Sequence, residues 1–135
     1  MKEKRLYLEP IKWAIEENMG HASPLSRVEQ RDNNNTIVWL DMNDIKQFLP
    51  KETKSTTTLV VKSVSQIKEK KFMSPAKIHV YNEQILFEDG LHRILAAIKT
   101  HNFYIPAIIH KNQVKDLKEL LRVYTKEPLQ EKSPE

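Results

Sequence analysis

The chain predicts an α+β fold, one small mixed sheet flanked by helices. Three observations predict it. β-type runs at 36–40, 77–81, 84–88 and 103–110 fall among helical patterns in the order helix, strand, helices, hairpin, helix, strand, helix, with no internal repeat. Leu91, Ile94, Leu95 and Ile98 recur at i, i+3, i+4 and i+7, the single apolar face of a packed helix. At 135 residues, 39% hydrophobic and 30% charged, the chain has the length of one domain and apolar side chains enough for one core.

Each element follows from local chemistry. Residues 9–20 read as a short helix: Pro10 suits its first position, Gly20 the position after its end, and Ile11, Ala14, Ile15 and Met19 recur at helical spacing. Residues 21–35 read as loop, with Ser23-Pro24 and Asp32-Asn33-Asn34-Asn35 as turn formers. Thr36–Leu40 is a compact β-type run, after which Asp41 can cap a short helix that carries Ile45, Phe48 and Leu49 and stops before Pro50. A polar loop over 51–57 leads to a helix from about Leu59 to Lys71, striped by Val60, Val64 and Ile67. The β-branched content of Thr58–Val61 leaves a strand there as the alternative. Lys77 to Tyr81 alternates, Asn82-Glu83 turns without the usual glycine, and Gln84–Glu88 returns. The Leu91 helix ends near His101-Asn102. Phe103–His110 is a strand that Pro106 assigns to a sheet edge or a strand start. A last helix carries Val114, Leu117, Leu120, Leu121 and Tyr124, and residues 125–135 read as a disordered tail.

Composition excludes several chemistries. With no cysteine, disulfides, thiolate metal sites and cysteine nucleophiles are out. No apolar run approaches the ~18 residues of a membrane span, and no apolar signal core follows the charged start Met1–Arg5, so the expectation is a cytoplasmic protein with no membrane partner. A net charge of +4 leans mildly toward anionic partners. No two of the five histidines have i, i+4 metal spacing, so no metal site is expected. There are only two glycines, Gly20 and Gly90, where usage of about 7% would give about nine. Such economy suggests a backbone reason for each.

Gly90 marks the candidate site. It stands where a strand reverses into a helix, with Asp89 placed as N-cap. First-turn amides have no intrahelical partner, and with the helix dipole they favour an anion. His92 and Arg93 fall in that same turn, where a cation opposes the dipole by ~0.3–1 kcal/mol. A phosphate at this end accounts for both. Arg93 offers a forked pair of hydrogen bonds, and His92 a donor or an acid–base group. The alternative is a capping Asp89, a turning Gly90 and solvated cations. Asp41 and Asp44, at i, i+3 after the first strand, and Glu88 are further candidate acids, each weighed against a capping or surface role. Lys68, Lys70, Lys71 and Lys77 form a basic cluster that either extends the anion site or ends a helix in solvent. Trp13 and Trp39 read as core.

The run Ile85-Leu86-Phe87-Glu88-Asp89-Gly90-Leu91-His92-Arg93-Ile94-Leu95-Ala96-Ala97, followed by Tyr104-Ile105-Pro106-Ala107-Ile108-Ile109, resembles the ParB/sulfiredoxin-like superfamily. The family pattern is a strand, an (Asp)-Gly-x-His-Arg turn, a helix with Leu/Ala-Ala, and an Ile-Pro-Val-type strand. Val38–Ile45 is similar to its opening strand and acidic segment. The resemblance implies a ParB/sulfiredoxin-like domain over 36–124, with 1–35 as an N-terminal helix and loop extension open to a protein partner. It implies a phosphate or nucleotide, ATP or CTP with Mg²⁺, held by Gly90, Leu91, His92 and Arg93 with Lys71 nearby. The expected activity is phosphoryl or phosphodiester chemistry of NTPase, kinase or nuclease type. Asp89, His92, Glu88 and Asp41 are its catalytic candidates, and DNA a further expected partner. Sulfiredoxin chemistry is excluded, because Leu91 stands at that motif's cysteine. A non-catalytic nucleotide- or DNA-binding module, or a degenerate domain kept for protein contact, is the alternative.

Overall fold

The structure is a computed structural model that describes residues 11–50, 54–69, 71–100 and 103–129. Five strands, β1 (Asn35–Asp41), β2 (Ala76–Tyr81), β3 (Gln84–Asp89), β4 (Tyr104–His110) and β5 (Val123–Tyr124), form one mixed sheet in the order β3-β2-β4-β1-β5. β4 runs antiparallel to β1 and parallel to β2, while β2–β3 and β1–β5 are antiparallel. The α+β expectation with a small mixed sheet and flanking helices holds.

β4 is the central strand, and five consecutive residues of it, Ile105–Ile109, are buried. A continuous apolar run of this kind belongs to a strand covered on both faces. This corrects the edge placement read from Pro106. The proline is tolerated because β2 pairs with β4 only from Ala107 onward, opposite Ala76. Past the end of that ladder, the Gln113 amide takes over: its Oε1 accepts from the Val80 N–H at 3.0 Å and its Nε2 donates to the Val80 carbonyl at 3.3 Å.

Among the described residues, five α-helices accompany the sheet: α1 (Pro24–Arg31), α2 (Met42–Ile45), α3 (Lys54–Lys68), α4 (Leu91–Lys99) and α5 (Val114–Leu120). α3 and α4 pack on each other, and α4 buries Ile94, Leu95, Ala96 and Ala97. Thr100 stops α4 by turning its buried hydroxyl onto the carbonyls of Ala96 and Ala97, 3.1 Å each. The predicted end at His101-Asn102 lies outside the described residues. α2 starts as expected, with the Asp41 carboxylate accepting from the Asn43 N–H at 2.8 Å.

Several elements differ from the sequence reading. Residues 11–15 are not helical: Ala14 N–H donates to the Met73 carbonyl and Met73 N–H to the Lys12 carbonyl, both at 2.8 Å, so this stretch pairs like a strand beside residue 73. Of the helix read over 9–20, the described residues are helical only from Glu16, in the 3₁₀ turn Glu16–His21, and residues 9 and 10 lie outside the described residues. Long-range pairing here overrides the Pro10/Gly20 punctuation. Ile11, Trp13 and Ile15 are thereby buried in the same core as the sheet. Residues 24–31, read as loop, are α1. Ser23 caps it by accepting from the Ser26 N–H at 3.2 Å, and Pro24 occupies its first turn. Residues 54–57 belong to α3, and the strand alternative at 58–61 is not realised. The last helix stops at Leu120, and Tyr124 lies in β5. Arg122 ties that strand to α2, donating from Nε and Nη2 to the Asp44 carboxylate at 3.0 and 3.2 Å.

Candidate functional site

Gly90 is the N-cap of α4 in the left-handed region, with φ +88. A Cβ there would lie 2.8 Å from the Ala76 Cα, 2.9 Å from its Cβ and 2.8 Å from the Arg93 Nη2. Both conformation and space therefore require glycine. Asp89, expected as N-cap, is the last residue of β3 instead. The Gly90 carbonyl accepts the N–H groups of Arg93 (3.0 Å) and Ile94 (3.1 Å). The amides of Leu91 and His92 thus precede the first helical hydrogen bonds and stand at the positive end of the dipole.

Arg93 folds back over this turn. Its Nη2 lies 3.0 Å from the Asp89 Oδ2, an i, i+4 pair in which the arginine side chain is 18% exposed and the aspartate 45%. The guanidinium is thus anchored at the helix tip by one carboxylate on its solvent side.

The neighbouring hairpin brings more charge. Lys77 is opposite Asp89, Ile78 opposite Phe87, and the register shifts between them. Glu88 is left as the extra residue of a β-bulge, a feature that re-aims a side chain. Its carboxylate meets Lys77 Nζ at 3.4 Å and approaches His79 Nδ1 at 3.1 Å. That buried nitrogen makes no hydrogen bond among the described residues.

Glu29 of α1 completes the cluster. Burial raises its pKa above the ordinary glutamate value. Lys77 opposes that shift, Asp89 and Glu88 add to it, and Arg93 opposes it. Among the described residues its carboxylate has no hydrogen-bond or ion-pair partner. Two hydrogen bonds hold its helix in place. Asn35 Nδ2 donates to the Glu29 carbonyl at 3.0 Å, and Gln30 Nε2 to the Ala14 carbonyl at 2.9 Å. Glu29 does not stand out in the sequence, where residues 21–35 read as loop. The Ser23 cap followed by Pro24 was the signal that could have found α1.

Not every sequence candidate gathers here. Asp41 is the last residue of β1, two strands from β2, where it caps α2 and lies 3.5 Å from Arg122 Nη2. Asp44 is held below the usual carboxylate range, chiefly by its side-chain hydrogen bonds from Arg122. Lys71 pairs with Glu69 at 2.9 Å on the surface. Of the described members of the basic cluster, Lys77 is the one beside the turn, and Lys70 lies outside the described residues. His92 and Leu91 are half-buried in the first turn of α4. No group of three histidine, aspartate or glutamate side chains among the described residues is arranged to hold a metal ion. No described helix is long and apolar enough to cross a membrane.

The geometry defines a small α+β domain with a glycine-led, arginine-backed helix tip. Comparison with protein-family models, curated proteins and solved structures finds no match to the chain.

Proposed function

We propose that this chain is a ParB/sulfiredoxin-like domain that binds a nucleotide by its phosphates at the tip of α4 and carries out phosphoryl or phosphodiester chemistry there. The observation that carries the proposal is the left-handed Gly90 turn seated on Ala76, with the Arg93 guanidinium folded over it. Phosphate oxygens would take the N–H groups of Leu91 and His92 and share Arg93 with Asp89. Charge-assisted hydrogen bonds of ~1.5–3 kcal/mol each, less ordering costs, support micromolar-to-millimolar affinity. Mg²⁺ takes one or two carboxylates and fills its shell with phosphate and water. Asp89 and Glu88, now paired with Arg93 and Lys77, are the carboxylates that would be offered to it, and Mg²⁺ would supply charge neutralisation when bound. His92, Asp89 and Glu88 are the acid–base candidates beside the held phosphate.

One observation favours a second reading, a degenerate domain kept for protein contact. The cations of the cluster are already balanced from within, Arg93 by Asp89 and Lys77 by Glu88. Thermal unfolding with ATP and CTP, with and without Mg²⁺, tests binding; saturation at 100 times Kd adds about 2.7 kcal/mol of stability. Analysis of nucleotide and plasmid DNA after incubation then separates turnover from binding alone. No thermal shift, and no effect of Arg93→Ala, would leave only a protein-contact role.

A further inference from the structure

α1 is built inside out. A surface helix ordinarily turns its apolar residues to the core and its polar ones to water. Here the inward side is polar. Ser26 is buried, and Gln30 Nε2 donates to the Ala14 carbonyl and to the Ser26 Oγ, 2.9 Å each. The Ser23 N–H at the helix start donates to the Ser74 Oγ at 3.0 Å. The outward side is apolar: Leu25 and Val28, one turn apart, are 56% and 67% exposed. At about 3.6 residues per turn, the order around the helix is Arg27 and Arg31, then Val28, Leu25 and Glu29. An apolar stripe thus runs between a row of two arginines and a glutamate. Among the described residues, the side chains of Arg27, Arg31 and Glu29 have no hydrogen-bond or ion-pair partner.

We propose that the outward face of α1 is a self-association surface, on which α1 of a second copy of this chain seats in parallel about a two-fold axis. Flanking charges set the partner and the orientation, as they do in paired helices generally. With the axis along the helices, Leu25 and Val28 meet their own counterparts, and the arginine row of each copy comes beside Glu29 of the other. An antiparallel pair would set arginine row against arginine row. The second copy thereby gives the half-buried Glu29 carboxylate the cation it lacks within its own chain. The contact is isologous, so it closes at two copies. A helix of eight residues buries less than the roughly 1,000 Å² of a lasting interface, so the dimer is weak and forms only at high concentration. Nothing in it depends on a phosphate at the α4 tip.

The test is analytical ultracentrifugation of the full chain, without nucleotide, from the micromolar to the millimolar range. The expected result is a reversible monomer–dimer equilibrium. Val28→Asp, at a site open enough to leave the fold intact, should weaken it at least tenfold. Arg31→Glu should also weaken it, and adding Glu29→Arg to Arg31→Glu should restore it, because the pair of charges is exchanged rather than lost. Thermal melts at low concentration confirm that each variant is folded. If the double variant does not fold, ¹⁵N–¹H spectra of the wild-type chain decide, through concentration-dependent shifts centred on the amides of residues 24–31. A chain that stays monomeric into the millimolar range overturns the proposal. So does a dimer that Val28→Asp leaves intact, a folded double variant that fails to dimerise, or shifts centred elsewhere.

Discussion

Gly90 and Gly20 show how differently two glycines can be used. Gly90 needs its positive φ and the bare Cα that lets Ala76 and Arg93 approach, whereas nothing lies within 4 Å of a Cβ built on Gly20. Gly90→Ala should therefore destabilise the fold by about 1–3 kcal/mol. Gly20→Ala should be neutral or stabilising by about 0.4–1 kcal/mol. Urea unfolding of the two variants checks the contrast. Glu29 gives a second residue-scale expectation. Its pKa is raised in the folded chain, so the unfolded chain ionises this group at lower pH. The folded state is thus favoured by protonated Glu29 below the ordinary glutamate value of about 4.3, and that contribution is lost as pH rises through the folded value. Glu29→Gln should melt above wild type at neutral pH, and the gap should close in acid. Thermal melts at the two pH values measure it, and a gap independent of pH would contradict the assignment.

Among the elements, the β2–β3 hairpin is the most exposed to local chemistry. Asn82 and Glu83 both have positive φ, +49 and +59, the backbone of a two-residue type I′ turn. Asparagine tolerates this and glutamate does not, so Glu83→Gly should stabilise the chain by about 0.5–1 kcal/mol, read as a higher urea midpoint at unchanged slope. The hairpin, β1, the Asp41 cap and the α4 stripe were legible because their signals are local: alternation, a capping side chain, a 3.6-residue period. α1 was hidden by its outward face. Leu25 and Val28 are exposed, so the helix has no apolar stripe turned to the core at the expected spacing. The stretch at 11–15 was misread because its partner, Met73, is some 60 residues away along the chain, and no local pattern reports that pairing. At the site, the turn and its cations were visible as a motif. The β-bulge that presents Glu88 and the arrival of Glu29 were not, since both depend on how separate segments meet.

Across the whole molecule, the topology decides which charges work together. The order β3-β2-β4-β1-β5 puts the Gly90 turn at one side of the sheet and the Asp41–Asp44–Arg122 cluster near the other. Asp41 and Asp44 hold α2 and β5 in place there, while Lys77, Glu88, Asp89 and Arg93 surround the tip of α4. The buried β4 between them makes the support for both rigid. That rigidity matters for a binding site built from backbone amides, which must be held in place before a ligand arrives. The most direct measurement is therefore a ¹⁵N–¹H titration of the full chain with ATP and CTP, followed at the backbone amides of Leu91 and His92. Saturable shifts at these two amides in the absence of Mg²⁺, lost in Arg93→Ala and strengthened in Asp89→Asn, which frees Arg93, are the predicted result. Amides that stay fixed at saturating nucleotide, or shift equally in Arg93→Ala, would contradict it.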